Sequence, residues 1–160
     1  MTTTTDQVTE TIPVRLDFDE HAAGFSRAMA HLDKAATKEL DQAGIDPLLR
    51  ELIRIRASQL NGCAYCVDMH TRDALGAGDS QQRLFALPVW RETPFFTARE
   101  RAALELTEAG TRLTDGPVPD EVFDRAAAEF SETELAELIW TIAVINAWNR
   151  LGAVARPWPL

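Results

Sequence analysis

At 160 residues, 46% of them hydrophobic and 26% charged, the chain is long enough to bury a core of its own, and one domain is expected. A net charge of -9 and a pI near 4.8, with no Lys/Arg cluster or aromatic stacking platform, argue against nucleic acid as a partner. No run reaches the roughly 18 apolar residues of a membrane helix. The Thr-rich stretch Met1 to Thr11 has no apolar core of a secretory signal or anchor. The expectation is a cytoplasmic protein without a membrane partner, with residues 1–17 a flexible segment and 18–160 the folded domain.

Helix signals then recur along the chain. Phe25, Met29, Leu32, Ala36 and Leu40 fall at steps of three or four and predict a helix from about Glu20 to Gln42, stopped by Gly44. Asp46 before Pro47 is an N-cap with proline at the first helical position. From there Leu48, Leu49, Leu52, Ile53 and Leu60 keep helical spacing up to Asn61 and Gly62. A third helix is predicted from about Cys63 to Leu75, closing at Gly76, and Ser80 caps a short one through Leu87. Pro88 and Pro94 bracket a loop.

Beyond that loop, Thr97 with Glu100 and Ser131 with Glu134 read as capping boxes that start two helices. Asp120 to Phe130 forms a shorter one between them. In the helix after Ser131, Leu135, Leu138, Ile139, Trp140, Ile142, Val144, Ile145 and Trp148 leave almost no polar face. Such a helix needs cover on all sides, so a homo-oligomer is expected, with Arg156 to Leu160 as a tail able to dock on a neighbour. Nothing alternates with period two, and the fold class is an all-α, single-domain bundle of about six helices.

The chemistry falls at the Asn61–Gly62 break. Cys63 and Cys66, the only two cysteines, lie in the first turn of a helix, where free amides and the macrodipole favour an anion. A thiolate is such an anion, and helix N-termini lower a thiol pKa from about 8.5 toward neutrality or below. At about 100° per residue, Cys66 lies about 60° from Cys63 and His70 about 20° from it. The three share a face, from which Tyr65 and Asp68 point away. Cys-x-x-Cys spacing lets one sulfur attack and the other resolve the product as a disulfide, while His70 can hold or relay a proton. Glu51, in the preceding helix, is a candidate to orient the imidazole if the chain turns back.

Bland alternatives stand beside these assignments. The cysteines could be small buried hydrophobes, His70 a satisfied polar residue and Glu51 a solvated charge. Trp148, Asn149 and Arg150 read as packing, capping or subunit contacts, and His21 and His31 have no chemical company. Cys63, Cys66 and His70 could also ligate a metal, although a closed zinc site wants a fourth ligand. A thioredoxin-type protein would need a strand before the motif. Thiol–disulfide exchange or redox sensing with negligible turnover is a further reading of the same pair. No cofactor and no resident metal are expected.

The stretch from Glu51 to His70, ELIRIRASQLNGCAYCVDMH, resembles the core motif of the alkylhydroperoxidase D-like branch of the carboxymuconolactone decarboxylase superfamily: Glu, eleven residues, Cys-x-x-Cys, three residues, His. TRDALGAG, LPVWRE and INAWNR extend the similarity over most of the chain from Phe18. The resemblance implies an oligomeric helical fold and a peroxidase that reduces alkyl hydroperoxides. Cys66 would be the peroxidatic sulfur, Cys63 the resolving one, and Glu51 with His70 the proton relay. An external dithiol would restore the pair. Tyr65 stands where the best-known peroxidase of the family carries a histidine.

Overall fold

In the computed structural model, residues 12–160 are described. The Thr-rich stretch Met1 to Thr11 lies outside them. The described residues form eight α-helices and no strand: α1 (Phe18–His21), α2 (Ala23–Ala43), α3 (Pro47–Asn61), α4 (Ala64–Gly76), α5 (Gln81–Ala86), α6 (Ala98–Thr111), α7 (Asp120–Glu129) and α8 (Glu132–Ala155). The all-α expectation is met, with a short α1 split from α2 at Ala22.

Local chemistry sets the boundaries. Asp46 accepts the Leu48 amide, with Pro47 opening α3. Thr97 with Glu100 and Ser131 with Glu134 form complete capping boxes on α6 and α8. The segment between Pro88 and Pro94 is more ordered than the expected loop: Leu87–Glu92 forms a 3-10 turn that buries Leu87 and Trp90. Burying an indole outweighs the poorer hydrogen bonds of such a turn.

Helix α3 is the centre of the bundle and packs on α4, α6 and α8. Leu49 and Ile53 join Leu40, Leu106, Leu138 and Ile142 in one core, while Leu52 and Ile55 join Leu87, Trp90, Phe96 and Leu104 in a second. Each such side chain contributes roughly 1.5–3 kcal/mol of burial. The apolar stripe read along α2 turns inward only in part, since Phe25 is 81% and Leu32 40% exposed. The inward face instead carries Asp33 and Thr37, which accept hydrogen bonds from Arg54 of α3 at 3.4 and 3.2 Å. The contact between α2 and the following helix is thus partly polar.

Helix α8 is long and apolar enough, by length and composition, to cross a membrane. Here it packs against α2, α3, α4, α6 and α7. Its cover is incomplete, because Ile139, Trp140 and Val154 stay exposed.

Candidate active site

The site lies where α3 ends and α4 begins, under α8. Gly62 closes α3 with φ of 68°, a left-handed conformation that glycine adopts without steric cost. The next residue, Cys63, is the N-cap of α4, and its sulfur accepts the Cys66 amide at 3.4 Å. Both sulfurs are therefore in the first turn, Cys63 just outside the helix and Cys66 inside it. They are joined as a disulfide, and both residues are buried.

Side-chain amides tie this break to α8. Asn61 donates to Asn146 and Asn149 at 2.9 and 3.0 Å. Asn149 donates to Ser58 at 2.9 Å, and Ser58 to the Arg54 carbonyl at 2.7 Å. Each partner satisfies a group that would be costly to bury alone.

One turn beyond Cys66, His70 meets Glu51: Nδ1 lies 2.8 Å from Glu51 Oε2, and both side chains are buried. Antiparallel packing of α3 and α4 supplies this contact, so the four sequence candidates come together. Arg54 donates to Glu51 Oε1 at 3.0 Å, and Arg50 lies 3.6 Å from the same oxygen. Burial pushes the Glu51 carboxyl up, but the His70 hydrogen bond and the Arg54, His70 and Arg50 charges outweigh it and hold the group below the ordinary carboxylate range. Glu51 is thus an anion at neutral pH. With Nδ1 taken by that anion, Nε2 is the nitrogen left to exchange a proton with a ligand.

A cavity of about 210 Å³ opens beside this group and is lined by Cys66 and His70 but not by Cys63. Its apolar wall is Tyr65, Met69, Ile145, Trp148 and Trp158, and Asp33 with Arg54 supply a polar edge. This corrects the reading of Tyr65 as pointing away, since its ring lies on the cavity, 5.0 Å from that of Trp158. An ideal 100° step misplaces it because α4 begins only after Cys63. Trp148, read as packing, also lines the cavity; Trp158, read as part of a tail able to dock on a neighbour, packs on Tyr65 and Trp148 of its own chain, and Gly152 went unread.

Gly152 explains how α8 can cover the cysteines. A methyl group at this position would lie 2.6 Å from Cys63 Sγ and 3.6 Å from Cys66 Sγ. Only a residue without a side chain leaves room for the bonded sulfurs.

Glu51, His70 and Asp73 bring three potential metal ligands within 4.8 Å of one another. The two guanidinium groups beside Glu51 oppose a cation there. His21 and His31 are exposed on α1 and α2 and do not line the cavity.

The all-helical fold thus brings together a buried, disulfide-bonded cysteine pair at a helix start, a carboxylate-held imidazole and an adjoining apolar cavity. Residues 23–109 match the carboxymuconolactone decarboxylase family, and the chain belongs to that family. It is 44% identical to the uncharacterized protein YdfG of Bacillus subtilis (strain 168) over 115 residues, 72% of this chain and 78% of that protein. A crystal structure of a protein of unknown function from Agrobacterium tumefaciens, provisionally assigned to antioxidant defence as AhpD, matches with a TM-score of 0.85 and 32% identity, covering 91% of this chain and 97% of that one. The debrominase Bmp8 shares the fold alone, with a TM-score of 0.74 and 24% identity over 86% of this chain and 72% of its own.

Proposed function

We propose that the protein is a thiol-dependent peroxidase that reduces organic hydroperoxides through Cys66, Cys63, His70 and Glu51. The observation that carries this reading is the cavity: it exposes Cys66 and the Glu51-held His70 to one small apolar space and leaves Cys63 behind them. The antioxidant assignment of the Agrobacterium protein supports it. The Cys66 thiolate attacks the terminal peroxide oxygen as the O–O bond breaks, and the leaving alkoxide takes a proton from His70. An alcohol and a Cys66 sulfenic acid result. The Cys63 sulfur then attacks the sulfenic sulfur, water leaves, and the disulfide forms. The two electrons given to the peroxide come from the two thiols, and an external dithiol returns them.

The walls formed by Tyr65, Met69, Trp148 and Trp158 favour an alkyl or aryl hydroperoxide over hydrogen peroxide, because only the former gains from burying apolar surface. A cytoplasmic setting is part of the proposal, since reduced thiol pools there would recycle the disulfide. So is a homo-oligomer, in which a second copy covers the apolar groove formed by Leu113, Phe123 and Ile139.

Reduced Cys66→Ser and Cys63→Ser variants test the roles. The first should fail to consume cumene hydroperoxide, and the second should consume one equivalent and stop at a sulfenic acid that dimedone traps. The opposite pattern would reverse the assignment, and full turnover in both variants would end it.

A further inference from the structure

The disulfide offers a large reductant little access. Cys63 is 1% and Cys66 2% exposed, and thiol–disulfide exchange needs an attacking thiolate that can reach one of the two sulfurs. Gly152 and Trp158 lie over the pair on the α8 side. The methyl position of Gly152 that touches both sulfurs lies 3.4 Å from a ring carbon of Trp158, so the indole edge packs at the point where α8 crosses the disulfide.

Trp158 belongs to Arg156–Leu160, a non-helical stretch that follows α8. The Ala155 carbonyl before it is tied down by the amides of Arg15 and Leu16, both at 3.2 Å. The chain turns at Arg156, which has φ of 42° and is the one non-glycine residue with positive φ among those described. Beyond this turn the indole rests on two aromatic neighbours, Tyr65 at 5.0 Å and Trp148 at 5.8 Å. It also borders open space on three sides. One is the cavity at Cys66; a second, of about 300 Å³, lies toward Phe18, Arg27 and Pro157; the third, of about 110 Å³, lies toward Gly62, Ala64 and Ala153. An indole packed on some faces and free on others has room to move.

We propose that Trp158 is a specificity-determining gate for the reductant. With the indole in place, a small apolar oxidant reaches Cys66 through the cavity. A dithiol carried on a protein is too large for that cavity of about 210 Å³ and reaches the disulfide only after residues 156–160 pivot at Arg156 and carry the indole out. One thiolate of the dithiol then attacks a sulfur of the pair, and the other leaves as a thiolate and takes up a proton. The second thiol of the dithiol closes on the mixed disulfide, which frees the remaining cysteine. Two electrons and two protons pass to Cys63 and Cys66, and the dithiol ends as its own disulfide. The proposal rests on the redox-pair part of the function above, and not on peroxide as the oxidant.

The test starts from full-length protein oxidised with diamide, so it needs no peroxide turnover. Reduction by reduced thioredoxin, a protein dithiol, is followed by alkylation and mass analysis of Cys63 and Cys66 in the wild type, Trp158→Ala, Trp158→Leu and the control Trp140→Ala, whose ring is exposed on α8. Trp158→Ala should be reduced at least tenfold faster with its thermal midpoint retained, and Trp140→Ala at the wild-type rate. Trp158→Leu keeps apolar bulk for the fold while removing the flat ring, and its rate should also rise. A wild-type rate in either folded Trp158 variant would overturn the gate. Absence of peroxide consumption in the reduced wild type would instead overturn the peroxidase reading and leave this result standing.

Discussion

Nδ1 of His70 lies 2.8 Å from Oε2 of Glu51, a contact that joins α3 to α4 one turn beyond Cys66. It fixes the ring orientation and leaves the other ring nitrogen for proton exchange. Glu51→Gln keeps the size and one hydrogen bond but removes the negative charge beside the ring. The expected outcome is a fall of about 100-fold in the rate at which hydroperoxide oxidises the reduced protein, with two titratable thiols still present. Stopped-flow oxidation of the reduced variant gives the rate, and a wild-type value would remove Glu51 from the relay.

Acid stability follows from the carboxylates held low. In Glu51, Glu100 and Glu108 burial pushes the pKa up but is outweighed, by His70 and Arg54 in the first, by Arg83 and Thr97 in the second and by Arg91, Trp90 and Arg56 in the third. A carboxyl with a lowered folded-state pKa stabilises the fold fully above its ordinary value of about 4.3, and the stabilisation is lost as pH falls through the folded value. Thermal midpoints should therefore hold steady from neutrality down to about pH 5 and fall steeply below about pH 4. Glu51→Gln should flatten that fall, and an unchanged acid slope in this variant would contradict the account.

Gly152 ties the redox balance to packing. In Gly152→Ala the new methyl sits 2.6 Å from Cys63 Sγ, closer than atoms approach without something shifting. The strain falls on the disulfide form, because freed thiols can turn away. A cost of about 2 kcal/mol would raise the reduction potential by about 40 mV, which equilibration against glutathione buffers measures. An unchanged or lower potential would show that α8 yields.

Glu108 serves stability and stands apart from the chemistry. It accepts Arg56 Nε at 2.7 Å, Trp90 Nε1 at 2.9 Å and Arg91 Nη1 at 2.6 Å. Glu108→Ala leaves the buried Arg56 and Trp90 donors without that partner. A loss of about 3 kcal/mol is expected, read from urea unfolding, with hydroperoxide consumption per folded molecule unchanged.

Much of this was legible because its causes are local. Caps at Asp46, Thr97 and Ser131 satisfy amides within three residues, so their positions mark helix starts directly. The spacing from Glu51 to His70 was legible for the same reason, once an antiparallel return of α4 on α3 was assumed. The inward face of α2 was not, because Phe25 and Leu32 satisfy the helical period while Arg54, from another helix, claims Asp33 and Thr37. Tyr65 was misread by an ideal helix drawn from Cys63, which is the cap. Trp158 and Gly152 lie beside cysteines about 90 positions earlier in the chain, a separation that periodicity cannot span.

The central claim is that Cys63 and Cys66 pass two electrons to an organic hydroperoxide. The most direct measurement mixes fully reduced protein with one equivalent of cumene hydroperoxide, free of other reductant, and follows thiols and peroxide together. The account predicts the loss of two thiols for each hydroperoxide consumed, with formation of the Cys63–Cys66 disulfide and one equivalent of alcohol. Thiols that persist while the peroxide stays intact, or peroxide consumed with both thiols intact, would contradict it.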